Sequence, residues 1–435
     1  MDAASTSSLA DQEAEYERFV RSNLKRNYAA HYLHGMLGMT GFRLVNAPTF
    51  MPAYLHALSG SKTMVGLGLA LGALGSVFAP IVGASHIEHR KRVLPVAVVM
   101  GLLMRVQILG LGLAGWFLAG KPLLVAILCF LFLLGLFTGA QRVAFQLLLG
   151  KVIPVHMRGR LQAWRNVTGG LIAAGLSYLA GRYLVGANLF GNGYGSTFLL
   201  AFVLTSLGLT ALNVLMREPE PPTVRPQMQL GKRLREFPEL LRSTPGLSQF
   251  LIAQVFAVAG RIATPFYILY ASKSIAITGA NLGLLSLAYL GADTVANLIW
   301  GYAGDRIGFR AILIAALSVW VCSTLLLLNA AGFVPLFLAF CGLGAAQSGY
   351  LMSVTTMVLE FGSREDMAMR LALSTTAEGV MAAAGPLLGG VIASGLGYTV
   401  LFGSSIGCQI AALILLFWLV EEPRKRRLQA SSPRP

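Results

Sequence analysis

The run PLLVAILCFLFLLGLFTGAQ, residues 122–141, decides the fold class of this chain because it contains no charged side chain. A helix rises about 1.5 Å per residue, so about 20 apolar residues cross a hydrocarbon core of roughly 30 Å. Membrane-spanning strands are about ten residues long and alternate in polarity. This run is apolar on every side, and it therefore predicts a transmembrane α-helix.

The composition of the whole chain is also that of a membrane protein. Of its 435 residues, 55% are hydrophobic and 12% are charged, and a soluble domain carries about 25% charged residues. The mean hydropathy is +0.67. The four cysteines lie inside apolar runs and none has CxxC spacing, so we predict no disulfide framework, no metal site and no cofactor.

Similar apolar runs recur along the chain and predict an all-α protein of twelve spans. They lie near 29–57, 62–86, 93–119, 122–150, 163–187, 197–216, 247–271, 279–303, 310–331, 334–360, 370–396 and 398–420. We therefore divide the chain into a cytoplasmic N-terminal segment (1–28), an N-terminal six-helix bundle (29–217), a cytoplasmic linker (218–246), a C-terminal six-helix bundle (247–420) and a basic cytoplasmic tail (421–435).

The distribution of basic residues predicts the orientation. The formal net charge of +16 comes from Lys and Arg clustered between apolar runs, which indicates contact with anionic lipids rather than with nucleic acid. If both termini are cytoplasmic, 26 of the 34 basic residues lie in inside segments, four lie in outside loops and four lie within spans. This asymmetry predicts a multi-pass protein of the cytoplasmic (inner) membrane.

The two halves resemble each other in sequence. Span one contains Gly41-Phe-Arg43-Leu-Val-Asn-Ala-Pro48, and span seven contains Gly260-Arg261-Ile-Ala-Thr-Pro265. Internal repeats of this size are typical of secondary transporters, whose substrate site lies between the repeats near the membrane midplane.

The segment between spans eight and nine reads Gly301-Tyr-Ala-Gly-Asp305-Arg306-Ile-Gly308-Phe-Arg310. It resembles the G-x-x-x-D-R-x-G-R-R signature of the major facilitator superfamily, with Phe309 in place of one basic residue. The copy after span two, residues 83–92, keeps its glycine and its closing basic pair but has a displaced acid. The resemblance implies two pseudosymmetric six-helix bundles, alternating access and a gating role for the quoted residues, Asp305 above all.

Ionisable residues inside the spans are the functional candidates because each is costly in lipid. Arg43 in span one and Arg261 in span seven are predicted near mid-membrane, and arginine suits carboxylate or phosphate bidentately. In the superfamily, spans one, four, seven and ten line the central cavity. We therefore predict a substrate site from these polar residues: Arg43, Asn46, Arg142, Arg261, Gln347 and Tyr350. The alternative is that each arginine is neutralised within the protein.

Two acids lie deep in the second half, Asp293 in span eight and Glu378 in span eleven. A desolvated carboxylate can exchange a proton near neutral pH, so both are candidates for proton coupling. The alternatives are static pairs of Asp293 with Arg261 and of Glu378 with Arg142. Arg105 is interpreted as structural, and His31 and His34 are expected at the membrane interface.

The leading interpretation is a secondary active transporter that moves a small solute, with an organic anion favoured. One alternative is a proton-coupled efflux carrier for amphipathic compounds, and another is a non-transporting receptor or assembly factor of the same fold. We recognise no catalytic set typical of an enzyme. The expected partners are a small-molecule substrate, a coupling proton and membrane lipids, and the expected oligomeric state is a monomer.

Overall fold

The computed structural model describes residues 2–87, 90–220, 245–361 and 367–422, and within these ranges the chain is helical without strands. Most of the predicted linker and tail, and part of the displaced signature at 83–92, lie outside the described residues. The α-helices are α1 Asp2–Ser22, α2 Leu24–Asn46, α3 Phe50–Ser59, α4 Lys62–Ile87, α5 Leu94–Phe117, α6 Gly120–Val152, α7 Val155–Leu179, α8 Gly193–Leu215, α9 Pro245–Ala259, α10 Tyr267–Ala271, α11 Gly279–Ile307, α12 Phe309–Leu328, α13 Phe333–Glu360, α14 Met367–Gly395 and α15 Tyr398–Trp418.

The predicted all-α membrane architecture is confirmed. In the part of the chain that the structure describes, nine helical stretches are long and apolar enough to cross a bilayer. The other three predicted spans correspond to α2 with α3, to α4 and to α7. Span one is broken at residues 47–49, because Pro48 lacks an N–H and disfavours helix at the residue before it.

The described residues form two compact units, and the first contains those within 1–45, 74–173 and 190–228. Within this unit, α5 packs against α6 and α8. Helices α2 and α8 approach closely, because a Cβ at Gly41 would lie 2.6 Å from the carbonyl oxygen of Ala201. Glycine at position 41 therefore permits backbone-to-backbone contact, as membrane helices require when small residues form the interface.

The second unit contains the described residues within 46–73, 174–189 and 229–435. Helix α13 packs between α11 and α12, and α9 packs against α14 and α15. A turn of π-helix, Ala180–Val185, follows α7 and contacts α11. The predicted division into two bundles at a single linker stays a prediction.

Each unit has a carboxylate at the N-terminus of one helix. Glu218 accepts from the backbone N–H of Val93 at 2.7 Å and of Leu94 at 2.8 Å, at the start of α5. Glu422 accepts from the N–H of Arg310 at 3.2 Å, at the start of α12. Gly308 has a φ of 91° and a Cβ there would overlap Glu422, so this signature position requires glycine for two reasons.

Candidate functional site

A cavity of about 260 Å³ lies inside the first unit and has a strongly cationic lining. Its walls come from α2, α5, α6 and α7. They include four arginines, Arg43, Arg105, Arg142 and Arg165, and no acidic residue. The remaining surface is mainly apolar and aromatic, from Met39, Phe42, Met104 and Phe145 among others. The cavity thus combines positive charge with an apolar surface.

Two of the four arginines are almost completely buried. Arg105 is 1% exposed, and it donates from Nε to the carbonyl oxygen of Thr205 at 2.7 Å and from Nη1 to that of Gly101 at 2.7 Å. Arg165 is 5% exposed and donates from Nη1 to Gln162 Oε1 at 3.0 Å. These acceptors are neutral. They satisfy hydrogen bonds but do not balance the charge, which stays costly in a low-dielectric interior.

Arg165 lies directly over Gly35. A Cβ at residue 35 would overlap the Arg165 guanidinium, so only glycine leaves room for it. The guanidinium carbon also lies 4.7 Å from the centre of the Phe145 ring. Helices α2 and α7 are close here, because Thr40 Oγ1 donates to the carbonyl oxygen of Gly169 at 3.1 Å. The small residue on α2 therefore sets where the arginine of α7 points.

Several polar atoms around the cavity are buried without a hydrogen-bond partner among the described residues. They are Arg165 Nε, Thr138 Oγ1 and both ring nitrogens of His31 and of His34. The two histidines are 0% and 8% exposed and pack against Phe145, so both lie inside the protein, and their expected depth at the membrane interface stays a prediction. Buried polar atoms without partners are unusual in proteins, and a bound water, ion or ligand is one explanation for them.

The sequence around the cavity contains almost no negative charge. Between Arg18 and Arg217 the only carboxylate side chain is that of Glu88, which lies outside the described residues. The spans of the N-terminal half therefore contain arginines but no acidic residue.

The second unit has a different arrangement, in which an arginine faces an acid. Arg261 Nη1 lies 3.9 Å from Glu378 Oε1, and Tyr350 Oη donates to the same oxygen at 2.9 Å. The Arg261 guanidinium carbon is 5.0 Å from the Tyr350 ring centre and 5.9 Å from that of Trp320. The sequence left open a pair of Arg261 with Asp293 and a pair of Glu378 with Arg142, whereas the structure brings Arg261 to the carboxylate of Glu378 on α14.

A break in the helix positions Arg261. Residues Gly260–Phe266 form a 3₁₀ segment between α9 and α10, with Pro265 inside it. Proline removes an N–H and disfavours α-helix before it. Span one is interrupted in a similar way, because α2 ends at Asn46 and Pro48 follows two residues later. Interrupted helices near mid-membrane are typical of substrate and ion sites in transporters.

The other predicted site residues are dispersed. Arg142 is exposed and lines the cavity of the first unit, whereas Asn46 is exposed at the end of α2 and is not part of that lining. Gln347 lies on α13 with its Oε1 buried and unpartnered among the described residues. Asp293 is half-buried on α11. The roles assigned to these residues stay predictions.

Sequence reasoning missed Arg165 and treated Arg105 as structural only. Arg165 follows Arg158 and Arg160 closely, and this spacing groups it with the inside basic segment. One signal was available, since Gly35 and Gly38 lie on the first span and small residues there make space for a long side chain.

These features define a class of protein, a polytopic helical transporter of the membrane. A family model for the major facilitator superfamily matches residues 33–267 and 249–435. The chain belongs to this superfamily, and it is a secondary transporter of small solutes.

Individual relatives agree with this assignment. The chain is 26% identical over 422 residues to the multidrug resistance protein MdtG of Enterobacter lignolyticus (strain SCF1), with 91% of each chain covered. Its fold is similar to that of a mutant of the nucleoside transporter NupG, with a TM-score of 0.70 at 12% identity, covering 91% of this chain and 100% of that one. The xylose transporter XylE from E. coli gives a TM-score of 0.64 at 14% identity, covering 94% and 99%.

Proposed function

We propose that the transported solute is a small organic anion with an apolar group, bound in the cavity lined by Arg43, Arg105, Arg142 and Arg165. The observation that carries the proposal is a lining with four guanidinium groups and no carboxylate. An anion in this cavity offsets the cost of the buried charges, and the Met and Phe side chains contact its apolar part.

The four arginines differ in how deeply they are buried, and we assign them different roles on that basis. Arg142 is exposed and Arg43 is half-buried, so both are accessible to an entering solute, and the almost fully buried Arg165 and Arg105 hold its anionic group. Arg165 Nε and His34 supply further hydrogen-bonding atoms there. Alternating access then exposes the site to each side of the membrane in turn.

Three wider features belong to the same proposal. We infer that the protein is a monomer in the cytoplasmic membrane with both termini inside. The basic residues of the predicted inside segments support this orientation through the positive-inside rule.

A ligand pair that differs only in charge tests the anion specificity. Benzoate should raise the melting temperature of the purified protein, and neutral benzamide should not, because binding to the native state stabilises it by mass action. Arg142→Gln should remove the benzoate shift and slow its uptake into proteoliposomes at least about tenfold, as expected for loss of a charge-assisted hydrogen bond.

The matched control is Arg182→Gln, which removes an exposed arginine in the π-helical turn after α7, outside the cavity lining. It should keep the wild-type benzoate shift. Equal stabilisation by benzoate, benzamide and an aryl ammonium ion would contradict the proposal.

A second candidate function is proton-driven efflux of amphipathic compounds. The likeness to a protein named for multidrug resistance favours it, as does the Arg261–Glu378–Tyr350 cluster. In this version Glu378 takes up and releases the coupling proton, and Arg261 and Tyr350 stabilise its charged form.

Glu378→Gln should abolish pH-driven accumulation in proteoliposomes while solute exchange at equal pH continues, because glutamine cannot carry the proton. The measurement compares counterflow with transport driven by a pH gradient. Glu421→Gln, just beyond the last span, is the control and should stay coupled. A Glu378→Gln protein that still concentrates solute against the gradient would refute this candidate.

A further inference from the structure

A second cavity of about 730 Å³ lies on the outer surface of the first unit, and it is open along one side. We call it the α2–α7 groove. Its wall on α2 consists of Leu24, Lys25, Tyr28, Ala29 and Tyr32, and its wall on α7 consists of Met157, Arg160 and Trp164. These positions are spaced mainly three, four or seven apart within each helix, so each wall is one helical face.

The two helices run in the same direction beside this groove. Arg165 packs on Gly35, and further along both helices Gly169 accepts a hydrogen bond from Thr40. The two cations of the groove are Lys25 in the first turn of α2 and Arg160 in the second turn of α7. Its aromatic part follows along the helices at Tyr32 and Trp164, and Tyr32 lies about 10 Å from Lys25 at 1.5 Å per residue.

The cations of this groove differ from most of their neighbours. Arg26 donates to the carbonyl oxygens of Val214 and Leu215, Arg158 donates to those of Gly150 and Ile153, and Lys151 pairs with Glu218. Lys25 and Arg160 are exposed, and no hydrogen bond or ion pair joins them to the described residues. Their charges face the groove.

The part of the groove at Tyr32 and Trp164 is aromatic and accessible. Trp164 is 56% exposed on α7. Tryptophan and tyrosine are enriched at membrane interfaces, where an apolar ring with a polar edge is favourable. Next to it along α7, Arg165 lines the first cavity, so the two cavities lie on different faces of this helix.

We propose that the α2–α7 groove is a binding site for an anionic phospholipid. Lys25 and Arg160 hold the headgroup phosphate, and Tyr28, Tyr32, Met157 and Trp164 contact the first part of an acyl chain. Charge complementarity and the apolar continuation of the groove select a lipid over a soluble anion. The site is separate from the solute cavity and does not depend on the proposed solute.

Native mass spectrometry of the full-length protein in a non-ionic detergent tests this. Dioleoyl phosphatidylglycerol and dioleoyl phosphatidylcholine share their chains and differ in net charge. Each Lys or Arg near a membrane surface strengthens the attraction to anionic lipid. Two such residues near the headgroup should therefore favour phosphatidylglycerol by about thirtyfold in apparent affinity. Glycerol 3-phosphate, which lacks chains, should not compete at matched concentration.

Lys25→Gln combined with Arg160→Gln should remove the preference for phosphatidylglycerol, and Lys121→Gln, an exposed cation at the other end of the bundle, should keep it. Lys25→Arg combined with Arg160→Lys keeps both charges and should bind as the wild type does. Two results would overturn the proposal: equal binding of the two lipids by the wild-type protein, or an unchanged preference in the double Gln variant. Competition by glycerol 3-phosphate would overturn it in favour of a soluble-anion site.

Discussion

Gly35→Ala is expected to weaken anion binding by about ten- to hundredfold while the protein stays folded. A methyl group at residue 35 overlaps the Arg165 guanidinium and forces it out of its place in the cavity wall. A hydrogen bond to a charged group is worth about 1.5–3 kcal/mol, which corresponds to this change in Kd. Alanine is also the better helix former by about 1 kcal/mol, so lost binding cannot be ascribed to a weaker α2.

Isothermal titration with benzoate, or with whichever organic anion gives the largest thermal shift, measures the change. Gly175→Ala on α7 is the control, because a Cβ there meets nothing within 4 Å and the residue is outside the cavity lining. Arg165→Gln should reproduce the effect of Gly35→Ala. If Gly35→Ala binds as tightly as the control, Arg165 does not hold the anion.

Arg105→Met is expected to stabilise the protein and to weaken anion binding at the same time. Arg105 is 1% exposed, and its hydrogen bonds go to two backbone carbonyls. A buried charge whose acceptors are neutral carries a desolvation cost on the order of several kcal/mol, and an apolar side chain of similar volume removes that cost. In this variant the bound anion faces three guanidinium groups instead of four. A gain in stability together with a loss of anion binding distinguishes a functional arginine from a purely structural one.

Arg310→Met provides the comparison. Arg310 also donates to backbone carbonyls, those of Leu416 and Phe417, but it does so as a half-buried side chain at the C-terminal end of α15. A cation there stabilises the helix end by about 0.3–1 kcal/mol, so its loss should lower the melting temperature. Thermal unfolding with and without anion measures both variants. A lower melting temperature for Arg105→Met would show that Arg105 is structural, as its position in span three suggests.

The superfamily and the membrane class could be predicted from the sequence because both depend on composition along the chain. About twenty apolar residues in a row specify a transmembrane helix, and a signature such as Gly301 to Arg310 is local. The break at Pro48 and the 3₁₀ segment at Pro265 follow from proline chemistry at known positions.

The candidate site could be predicted only in part. The sequence marked Arg43, Arg142, Arg261, Tyr350 and Glu378 as candidates within the spans, and the structure brings the first two to one cavity and the last three to one cluster. It did not identify the partner of Arg261, because helical spacing gives the face of a residue and not the helix packed against that face.

Sequence by itself determined that this chain is a helical membrane transporter whose N-terminal spans contain arginines without acids. Only the tertiary structure decided that Arg165 belongs with them and that His31 and His34 are buried beside it. The physical reason is that an arginine side chain can reach several different environments from one backbone position. An arginine side chain is long and flexible, and whether it turns to water, lipid or the interior depends on the space that a neighbouring helix leaves, here the missing side chain of Gly35.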